Sequence, residues 1–236
     1  MPKILTDYYE TSEEGKILGL TVPIYKEEDW TSFDVVKKLR NASGFKKVGH
    51  AGTLDPFATG VLVLGFGRHT KTLDTFKMLK KEYDVKIHLG IETDTYDRTG
   101  SIVNEMIVPP FEESMIDEHL RSFIGKIKQL PPMYSARKVK GKALYKYARK
   151  GEEVERKLAD IEIFDISIMN YSHPFLDLRI SCGPGTYIRS IAHELGQKLA
   201  CGAHAKELCR NAIGHFTLKE ALKIEEFIEA WKLLAA

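Results

Sequence analysis

The residues best suited to chemistry lie in a glycine-rich segment, residues 49–60. This segment contains three glycines, one histidine and a single carboxylate, Asp55, directly before Pro56. Because proline restricts the preceding residue to extended conformations, the backbone direction of Asp55 is restricted. The segment is not a phosphate-binding P-loop, since the pattern Gly-x-x-x-x-Gly-Lys-[Ser/Thr] is absent. The pattern also suits a tight loop in which the aspartate only caps a turn.

Arg189 is the second candidate for chemistry. It lies in the first turn of a helix predicted over residues 186–199, with Thr186 as its cap. The helix dipole disfavours a cation there by about 0.3–1 kcal/mol, so an anion is expected nearby. A phosphate or a carboxylate such as Asp55 would serve. An exposed arginine directed into water fits the pattern equally well.

Other reaction classes lack their motifs. Cys201, His204 and Cys209 have an irregular spacing that does not predict a zinc site. No Ser-His-Asp or Cys-His order stands out, and the pattern Gly-x-Ser-x-Gly is absent. The three cysteines contain no Cys-x-x-Cys pair, so a disulfide framework is not predicted. Spacing alone therefore names no reaction.

The net charge of +2 conceals two strongly basic segments. Residues 37–81 contain ten lysines and arginines against two aspartates, and residues 136–150 contain seven with no acidic residue. Tyr134, Tyr145 and Tyr147 lie in or next to the second segment, as suits base stacking. Two such segments favour RNA or DNA as a partner. Solvated lysines on helix faces are the alternative for either segment taken alone.

Composition excludes several classes of protein. The chain has 236 residues, of which 43% are hydrophobic and 29% charged, which is typical of a soluble globular protein and not of a collagenous or disordered one. No apolar run approaches the ~20 residues that a membrane helix needs. The start, Met1 to Asp7, contains no apolar signal-peptide stretch, so a cytoplasmic location and no membrane association are expected.

The elements that must position these residues are a mixture of strands and helices without regular βαβ alternation. This order predicts an α+β fold around a largely antiparallel sheet. No Pro/Gly/Ser-rich linker marks a domain boundary, and a single domain over residues 1–236 is expected. Capping-box patterns begin at Thr31, Ser114 and Thr217. The predicted helices are residues 31–40 with a stop near Gly44, 114–125, 142–150, 186–199 and one that starts near Thr217. The predicted strands are residues 61–66, 83–91, 160–169 and 175–182.

Five ordered motifs resemble those of the TruB family of pseudouridine synthases. The motifs are residues 49–62, Lys71 with residues 81–83 and 89–100, residues 129–138 with 141–151, residues 185–191, and residues 202–210. Together they cover most of the span between Trp30 and Phe216. The resemblance implies the pseudouridine synthase fold, a central mixed sheet flanked by helices with the catalytic cleft across it.

The resemblance also implies a reaction. Uridine 55 in the T arm (TΨC loop) of tRNA would become pseudouridine when uracil leaves C1′, turns and is reattached through C5. This isomerisation needs no oxidant, hydrolysis or ATP, so neither a cofactor nor a metal is implied. The implied catalytic residues are Asp55, Tyr83 and Arg189. Arg189 would pair with an ionised Asp55, and Tyr83 would stack on the uracil; whether Asp55 attacks C1′, attacks C6 or deprotonates C2′ is left open.

RNA-binding residues follow from the same resemblance. The target base must be flipped out of the T loop at a cost of a few kcal/mol, and His50 would occupy the vacated space. Leu208 would form an apolar wall of the pocket. A basic insertion at about residues 131–157 would close over the T loop. The remaining residues implied to bind RNA are Lys71, Lys138, Lys142, Tyr145, Arg149 and Tyr187.

Two departures from the family pattern qualify these expectations. Many bacterial relatives carry a small C-terminal PUA-like domain, whereas this chain stops about twenty residues after Phe216. No separate C-terminal PUA domain is therefore expected, and since the guide-RNA-dependent branch of the family keeps that domain, a stand-alone enzyme that acts on tRNA without a guide RNA is expected. A monomer is also expected. The family's Lys-Pro-x-Gly appears here as Lys26 to Asp29, so the turn before the first helix does not follow from relatives. A tRNA-folding module and a DNA-binding protein are the alternative functions.

Overall fold

The computed structural model describes residues 9–235, so the expectation based on Met1 to Asp7 lies outside the described residues. Its strands, numbered in chain order, are β1 (Tyr9–Thr11), β2 (Ile17–Lys26), β3 (Val48–His50), β4 (Thr59–Gly67), β5 (Lys81–Leu89), β6 (Ile91–Thr93), β7 (Ile102–Glu105), β8 (Gly125–Gln129), β9 (Lys138–Val139), β10 (Lys142–Ala143), β11 (Ala159–Ser172), β12 (Phe175–Cys182), β13 (Ala203–Ile213) and β14 (Phe216–Thr217). Its helices are α1 (Ser32–Ser43), α2 (Leu73–Lys77), α3 (Glu113–Arg121), α4 (Leu144–Ala148), α5 (Ile188–Lys198) and α6 (Ile224–Ala235), with a 3₁₀ turn at Arg68–Lys71. Within this described range, no helix has both the length and the apolar character to cross a membrane.

The described residues form two compact units. The first comprises the residues up to Lys81 together with those from Cys209 onward, and the second is Glu82–Leu208. The single catalytic domain expected over residues 1–236 stays a prediction.

The first unit is built on strand β4, whose interior is completely buried as its continuous apolar run predicts. Strands β2 and β3 pair with β4 in antiparallel fashion, and β13 pairs with it in parallel at Thr59 and Gly60. Helices α1 and α6 supply Leu39 and Phe227 to the core cluster on this sheet. The prediction of a mixed, largely antiparallel sheet flanked by helices is therefore confirmed.

Helix α1 has the ends that the sequence predicts. The Thr31 side chain accepts a hydrogen bond from the backbone N–H of Asp34, and the Asp34 carboxylate accepts one from the backbone N–H of Thr31. This reciprocal capping box satisfies two of the N–H groups that a helix start leaves unpaired. The helix ends at Gly44, whose φ of 73° is a left-handed conformation that glycine adopts readily.

The strand order in the second unit is β13, β5, β12, β11 and β8. Only the part of β13 before Cys209 belongs to this unit. Strand β11 is antiparallel to both β12 and β8. Along β5, buried and partly exposed residues alternate strictly, so the predicted period-two pattern is confirmed. Asp84 on a partly exposed position of β5 receives two hydrogen bonds of 2.8 Å from Arg179 on β12.

Two of the predicted capping boxes do not begin a helix. Helix α3 begins at Glu113 after Glu112, with no side-chain cap, so Ser114 lies inside the helix. The predicted start at Thr217 is part of β14 instead, and the Glu220 carboxylate accepts hydrogen bonds from the Thr217 backbone and hydroxyl within a turn. The same capping-box pattern therefore stabilises a turn at one place and a helix at another.

The predicted start of α5 is also displaced. The Thr186 hydroxyl donates to the carbonyl oxygen of Gly183 at 3.1 Å, and the helix begins two residues later with Tyr187 as its N-cap residue. Arg189 consequently still lies in the first turn, where the sequence predicts it.

Gly196 allows α5 to approach the start of β13 closely. A Cβ atom at Gly196 would overlap the backbone at Gly202 and Ala203. We expect Gly196→Ala to lower the free energy of unfolding by about 1–3 kcal/mol. The energetic cost of the overlap should exceed the gain of about 1 kcal/mol that alanine gives over glycine in helix propensity. Urea unfolding measures the change.

The matched control is Gly183→Ala, since a Cβ there would have the atoms of Glu162 at 3.5 Å or more as its nearest contacts. This control should change stability less. A Gly196→Ala variant as stable as the parent would show that α5 can move away from β13 at no cost.

Candidate active site

Asp55 is half-buried in the loop that joins β3 to β4. The loop leaves β3 with a hydrogen bond from the Ala51 N–H to the carbonyl oxygen of Val63, and the Ala58 N–H donates to the carbonyl oxygen of Asp55 at 3.1 Å. Several of the remaining backbone groups of the loop bond to side chains of other elements. Three of these side chains hold the residues on either side of Asp55.

Ser32, the first residue of α1, holds Leu54. The Leu54 N–H donates to the Ser32 hydroxyl at 2.9 Å, and the hydroxyl donates to the Leu54 carbonyl oxygen at 3.1 Å. Ser32 is buried, so this exchange satisfies both backbone groups of the residue directly before Asp55 without water.

Lys26, the last residue of β2, holds Pro56, the residue directly after Asp55. Lys26 is 0% exposed, and its ammonium donates to the carbonyl oxygens of Glu27, Trp30 and Pro56 at 2.9, 2.7 and 3.0 Å. Burial lowers the pKa of Lys26 to about 8, and the nearby Asp55 carboxylate opposes this change. The sequence alone did not identify Lys26 as part of the site.

The turn that follows Lys26 is built without the family's glycine. Asp29 occupies the glycine position and has a φ of 63°, in the left-handed region that aspartate tolerates better than most residues. Its N–H donates to the Pro56 carbonyl oxygen at 2.9 Å. With aspartate in place of the glycine, the Pro56 carbonyl oxygen still accepts hydrogen bonds from both Lys26 and Asp29.

Arg210, on β13, holds the residues that precede Leu54. Its guanidinium donates to the carbonyl oxygens of Gly52 and Thr53 at 3.0 and 3.4 Å and to that of Val61 at 2.8 Å. Arg210 is 1% exposed. Residues 52, 53, 54 and 56 thus each have a backbone group bonded to Arg210, Ser32 or Lys26.

A basic pocket of about 790 Å³ lies beside this loop in the first unit. Its lining includes His50, Arg40, Lys46, Lys47 and Lys77. Burial lowers the pKa of the His50 imidazole, so its ring is neutral at physiological pH. The pocket therefore offers cations for phosphate groups and one neutral ring at its wall. Lys71 is exposed in the nearby 3₁₀ turn.

Arg189 is held inside the second unit. It is 2% exposed, and its guanidinium donates to the carbonyl oxygens of Thr95 and Tyr134 at 2.7 and 2.8 Å. The Asp97 carboxylate, 4% exposed, lies 3.2 Å from it. Asp97 thus supplies an anion of the kind expected beside an arginine in the first turn of a helix. The pairing of Arg189 with Asp55 stays a prediction.

Asp97 is itself fixed by the loop that contains it. One carboxylate oxygen accepts hydrogen bonds from the Thr95 hydroxyl at 2.9 Å and from the Thr99 hydroxyl and N–H at 2.6 and 2.9 Å. The other oxygen is the one nearest Arg189. Asp97 lies in a motif that the sequence analysis identified, but its partner was not predictable because it lies ninety-two residues further along the chain.

Gln129 fixes the start of the helix that carries Arg189. Its buried side-chain amide accepts from the Tyr187 N–H at 2.8 Å and donates to the Tyr187 carbonyl oxygen at 3.1 Å. This two-way bond replaces the side-chain cap that α5 lacks. Tyr83 on β5 and Leu208 on β13 are both buried in the same unit, at 8% and 7% exposure.

The basic segment of the second unit forms a hairpin and a short helix. Strands β9 and β10 are joined by Lys140 and Gly141, whose φ values of 50° and 79° suit a two-residue hairpin turn. The Lys142 ammonium lies 3.9 Å from the ring centre of Tyr147, and the Arg149 guanidinium lies 5.4 Å from that of Tyr145. Lys138 and Arg149 are exposed. The predicted helix over residues 142–150 is shorter in the structure, where α4 spans Leu144–Ala148.

Comparison with known proteins gives the family of this chain. The profile described as TruB family pseudouridylate synthase (N terminal domain) matches residues 40–188. The chain belongs to the TruB family. The enzyme class expected from the motifs is therefore confirmed.

Curated relatives agree with this assignment. A protein named tRNA pseudouridine synthase B from Clostridium tetani is 43% identical over 208 residues, which are 88% of this chain and 72% of that protein. One of the same name from Protochlamydia amoebophila is 48% identical over 201 residues, covering 84% of this chain and 76% of that protein.

A solved structure shares the fold. A chain of the crystal structure of a Cbf5-Nop10-Gar1 complex superposes with a TM-score of 0.73 at 24% identity, over 98% of this chain. This chain spans 64% of the length of that one. At this level of identity the likeness shows the fold alone.

Lys26 generates a prediction about stability and pH. In the folded protein Lys26 releases its proton near pH 8, whereas an ordinary lysine in the unfolded chain keeps it to about pH 10.5. The unfolded state binds more protons in this window, so the stability contributed by Lys26 rises with pH. The difference in free energy of unfolding between the parent and Lys26→Met should increase by up to about 3 kcal/mol across the window.

Urea unfolding at several pH values between 7.5 and about 10 measures this difference, since groups other than Lys26 titrate in both proteins and cancel. A difference that stays constant over the window would contradict the assigned proton release.

Proposed function

We propose that this chain converts uridine 55 in the T arm of tRNA to pseudouridine. Family membership supports an isomerase of uridine in RNA, and the names of the relatives support tRNA as the substrate. The observation that carries the proposal is the loop of Asp55, which lies within the matched residues and is held on both sides by Ser32, Lys26 and Arg210.

The reaction balances without any added reagent. The bond between N1 of uracil and C1′ of the ribose breaks, the base turns, and a bond between C5 and C1′ forms. The proton on C5 is lost, and N1 gains one. Asp55 acts on the uridine in its ionised form, by attack on C1′ or C6 or by removal of the C2′ proton. The hydrogen bonds from Ser32, Lys26 and Arg210 hold the loop so that its carboxylate keeps the reacting position.

Tyr83, Leu208 and Arg189 complete the proposed site. Tyr83 stacks on the everted uracil, Leu208 forms an apolar wall, and Arg189 pairs with Asp55. The bonds from Arg189 to Thr95, Tyr134 and Asp97 support this role, because they fix the direction of its guanidinium. A fixed donor needs little reorganisation when charge develops in the transition state.

RNA binding is proposed to use both basic regions. His50 fills the space that uridine leaves in the T loop, and its neutral ring suits stacking, which is worth about 1–3 kcal/mol per base. The cations of the neighbouring pocket, together with Lys71, contact phosphates. The hairpin of β9 and β10 with helix α4 closes over the T loop, with Lys138, Lys142, Tyr145 and Arg149 directed at the RNA. Tyr187 contributes at the start of α5.

The proposed enzyme acts alone. It binds the T stem-loop of tRNA as a monomer, without a guide RNA, a cofactor or a metal, in the cytoplasm. The names of the relatives at 43–48% identity, tRNA pseudouridine synthase B, support tRNA as the partner.

The central test is the release of tritium from tRNA labelled at C5 of uridine. The parent protein should release tritium, and Asp55→Asn should lower the rate by roughly 10²–10⁴-fold or more, because the amide can neither attack nor accept a proton. Filter binding should show that this variant still binds tRNA. The matched control is Asp160→Asn, the same change at a side chain that is 87% exposed, which should leave the rate unaltered.

The outcomes of this test separate the alternatives. Turnover by Asp55→Asn would refute the role of Asp55, and tRNA binding by a parent without turnover would favour a tRNA-folding module. Mapping of pseudouridine in the product decides whether position 55 is the target. Tighter binding to duplex DNA than to a T-arm hairpin would favour the DNA-binding alternative.

Neutralising the hairpin should change the salt dependence of tRNA binding. With Lys138, Lys142 and Arg149 replaced by glutamine, the slope of log K against log salt should flatten by roughly 0.7–0.9 for each phosphate that the protein no longer neutralises. The control replaces three exposed lysines elsewhere, Lys219, Lys223 and Lys232, for the same change in net charge. Equal changes in the two proteins would mean that the hairpin has no special role.

A further inference from the structure

We propose that Arg210 is a positioning residue that sets the place of the Asp55 carboxylate by holding the backbone on both sides of it. This inference rests on the proposed function, because it takes Asp55 as the catalytic group. Arg210 does not itself touch the uridine in this proposal. It acts through the loop of residues 52–61.

The guanidinium joins the two arms of the loop. Nη2 and Nη1 donate to the carbonyl oxygens of Gly52 and Thr53, which lie before Asp55, and Nε donates to that of Val61, which lies after it. The planar fork of arginine can make these bonds at the same time in a fixed relative direction. One side chain therefore fixes the separation of the arms from which Asp55 projects.

The backbone of Arg210 fixes the second arm as well. Gly60 pairs with Arg210 in the parallel ladder of β4 and β13, and a Cβ atom at Gly60 would overlap the Arg210 backbone. Gly60 has a φ of 108°, a conformation that residues with a side chain rarely adopt. The sequence thus provides a glycine where the loop must approach Arg210 most closely.

Burial indicates that this arrangement is specific. Arg210 is among the largest fully buried side chains, and within residues 9–235 it forms no ion pair with a carboxylate. A buried charge is costly unless it is paired or hydrogen-bonded, and here three backbone carbonyl oxygens accept hydrogen bonds from the guanidinium. Packing alone does not explain a buried arginine here, because an apolar side chain would pack as well. The hydrogen bonds to the loop around Asp55 are what an apolar side chain could not provide.

Lysine cannot replace arginine in this role. An ammonium keeps the charge but presents three donors from one nitrogen, whereas the carbonyl oxygens of Gly52, Thr53 and Val61 are bonded by three different nitrogens. Arg210→Lys should therefore leave the two arms free to move relative to each other. Arg210→Met removes the charge and all three bonds while keeping an unbranched side chain.

The experiment compares the full chain with Arg210→Lys and Arg210→Met. Tritium release at varied tRNA concentration should show kcat lowered by about 10–100-fold in both variants, because a displacement of about 1 Å at a reacting group costs up to 10²-fold. KM for tRNA should stay within about twofold. Hydrogen–deuterium exchange should become faster in peptides that cover residues 51–57 and stay unchanged in the second unit.

A matched destabilised variant separates positioning from a loss of stability. Phe227→Leu removes packing from the core cluster of the first unit, and it should keep the parent kcat at temperatures where it is folded. An equal loss of kcat in Phe227→Leu would overturn the proposal, as would parent-like kcat in Arg210→Lys. If Arg210→Met does not fold, Arg210→Lys alone decides the question.

Failure of the proposed function gives a different result. If the parent releases no tritium, the assignment of Asp55 fails, and the exchange measurement still shows whether Arg210 holds the loop. If the parent is active and exchange in residues 51–57 is the same in both Arg210 variants, the positioning role is refuted while the proposed function stands.

Discussion

The structure of the candidate site depends on the pairing of backbone carbonyl oxygens in a loop that has few ladder partners. Buried carbonyl groups need hydrogen-bond donors, and the residues around Asp55 lie outside the strands that would supply them. Arg210 and Lys26 supply them from β13 and β2, and Ser32 adds a hydroxyl from α1. Hydrogen bonds from charged donors contribute about 1.5–3 kcal/mol each, so the loop is held more firmly than an exposed connection of the same length.

The second unit repeats this principle. Arg189 binds the carbonyl oxygens of two segments, at Thr95 and Tyr134, and the Asp97 carboxylate. Its position in the first turn of a helix is unfavourable for a cation, and the buried carboxylate offsets this cost. In both units a buried cation joins stretches of chain that form no regular structure with each other.

Exposed cations differ from these buried ones in what they can contribute. The surface pair of Lys77 and Asp74, at 2.7 Å, adds about 0–1 kcal/mol to stability because both groups are solvated. Exposed groups such as Lys138 and Arg149 leave their charge available to a partner. The number of charges in a segment does not show which cations are paired within the protein and which are available to a partner. A basic segment therefore predicts a partner with less certainty than a sequence motif does.

The sequence by itself determined the features that depend on near neighbours and on family pattern. The alternation of β5, the capping box of α1, the buried run of β4 and the family of the enzyme were all predictable from it. The start of α5 was not, because the Thr186 hydroxyl bonds to the Gly183 carbonyl oxygen and does not cap the helix.

Only the tertiary structure decided which residues hold the site. Lys26 lies 30 positions from Pro56, Gln129 lies 58 from Tyr187, and Arg210 lies 158 from Gly52. A local pattern carries no information about such pairs, because a donor reaches its carbonyl group only after the chain has folded and brought distant residues together.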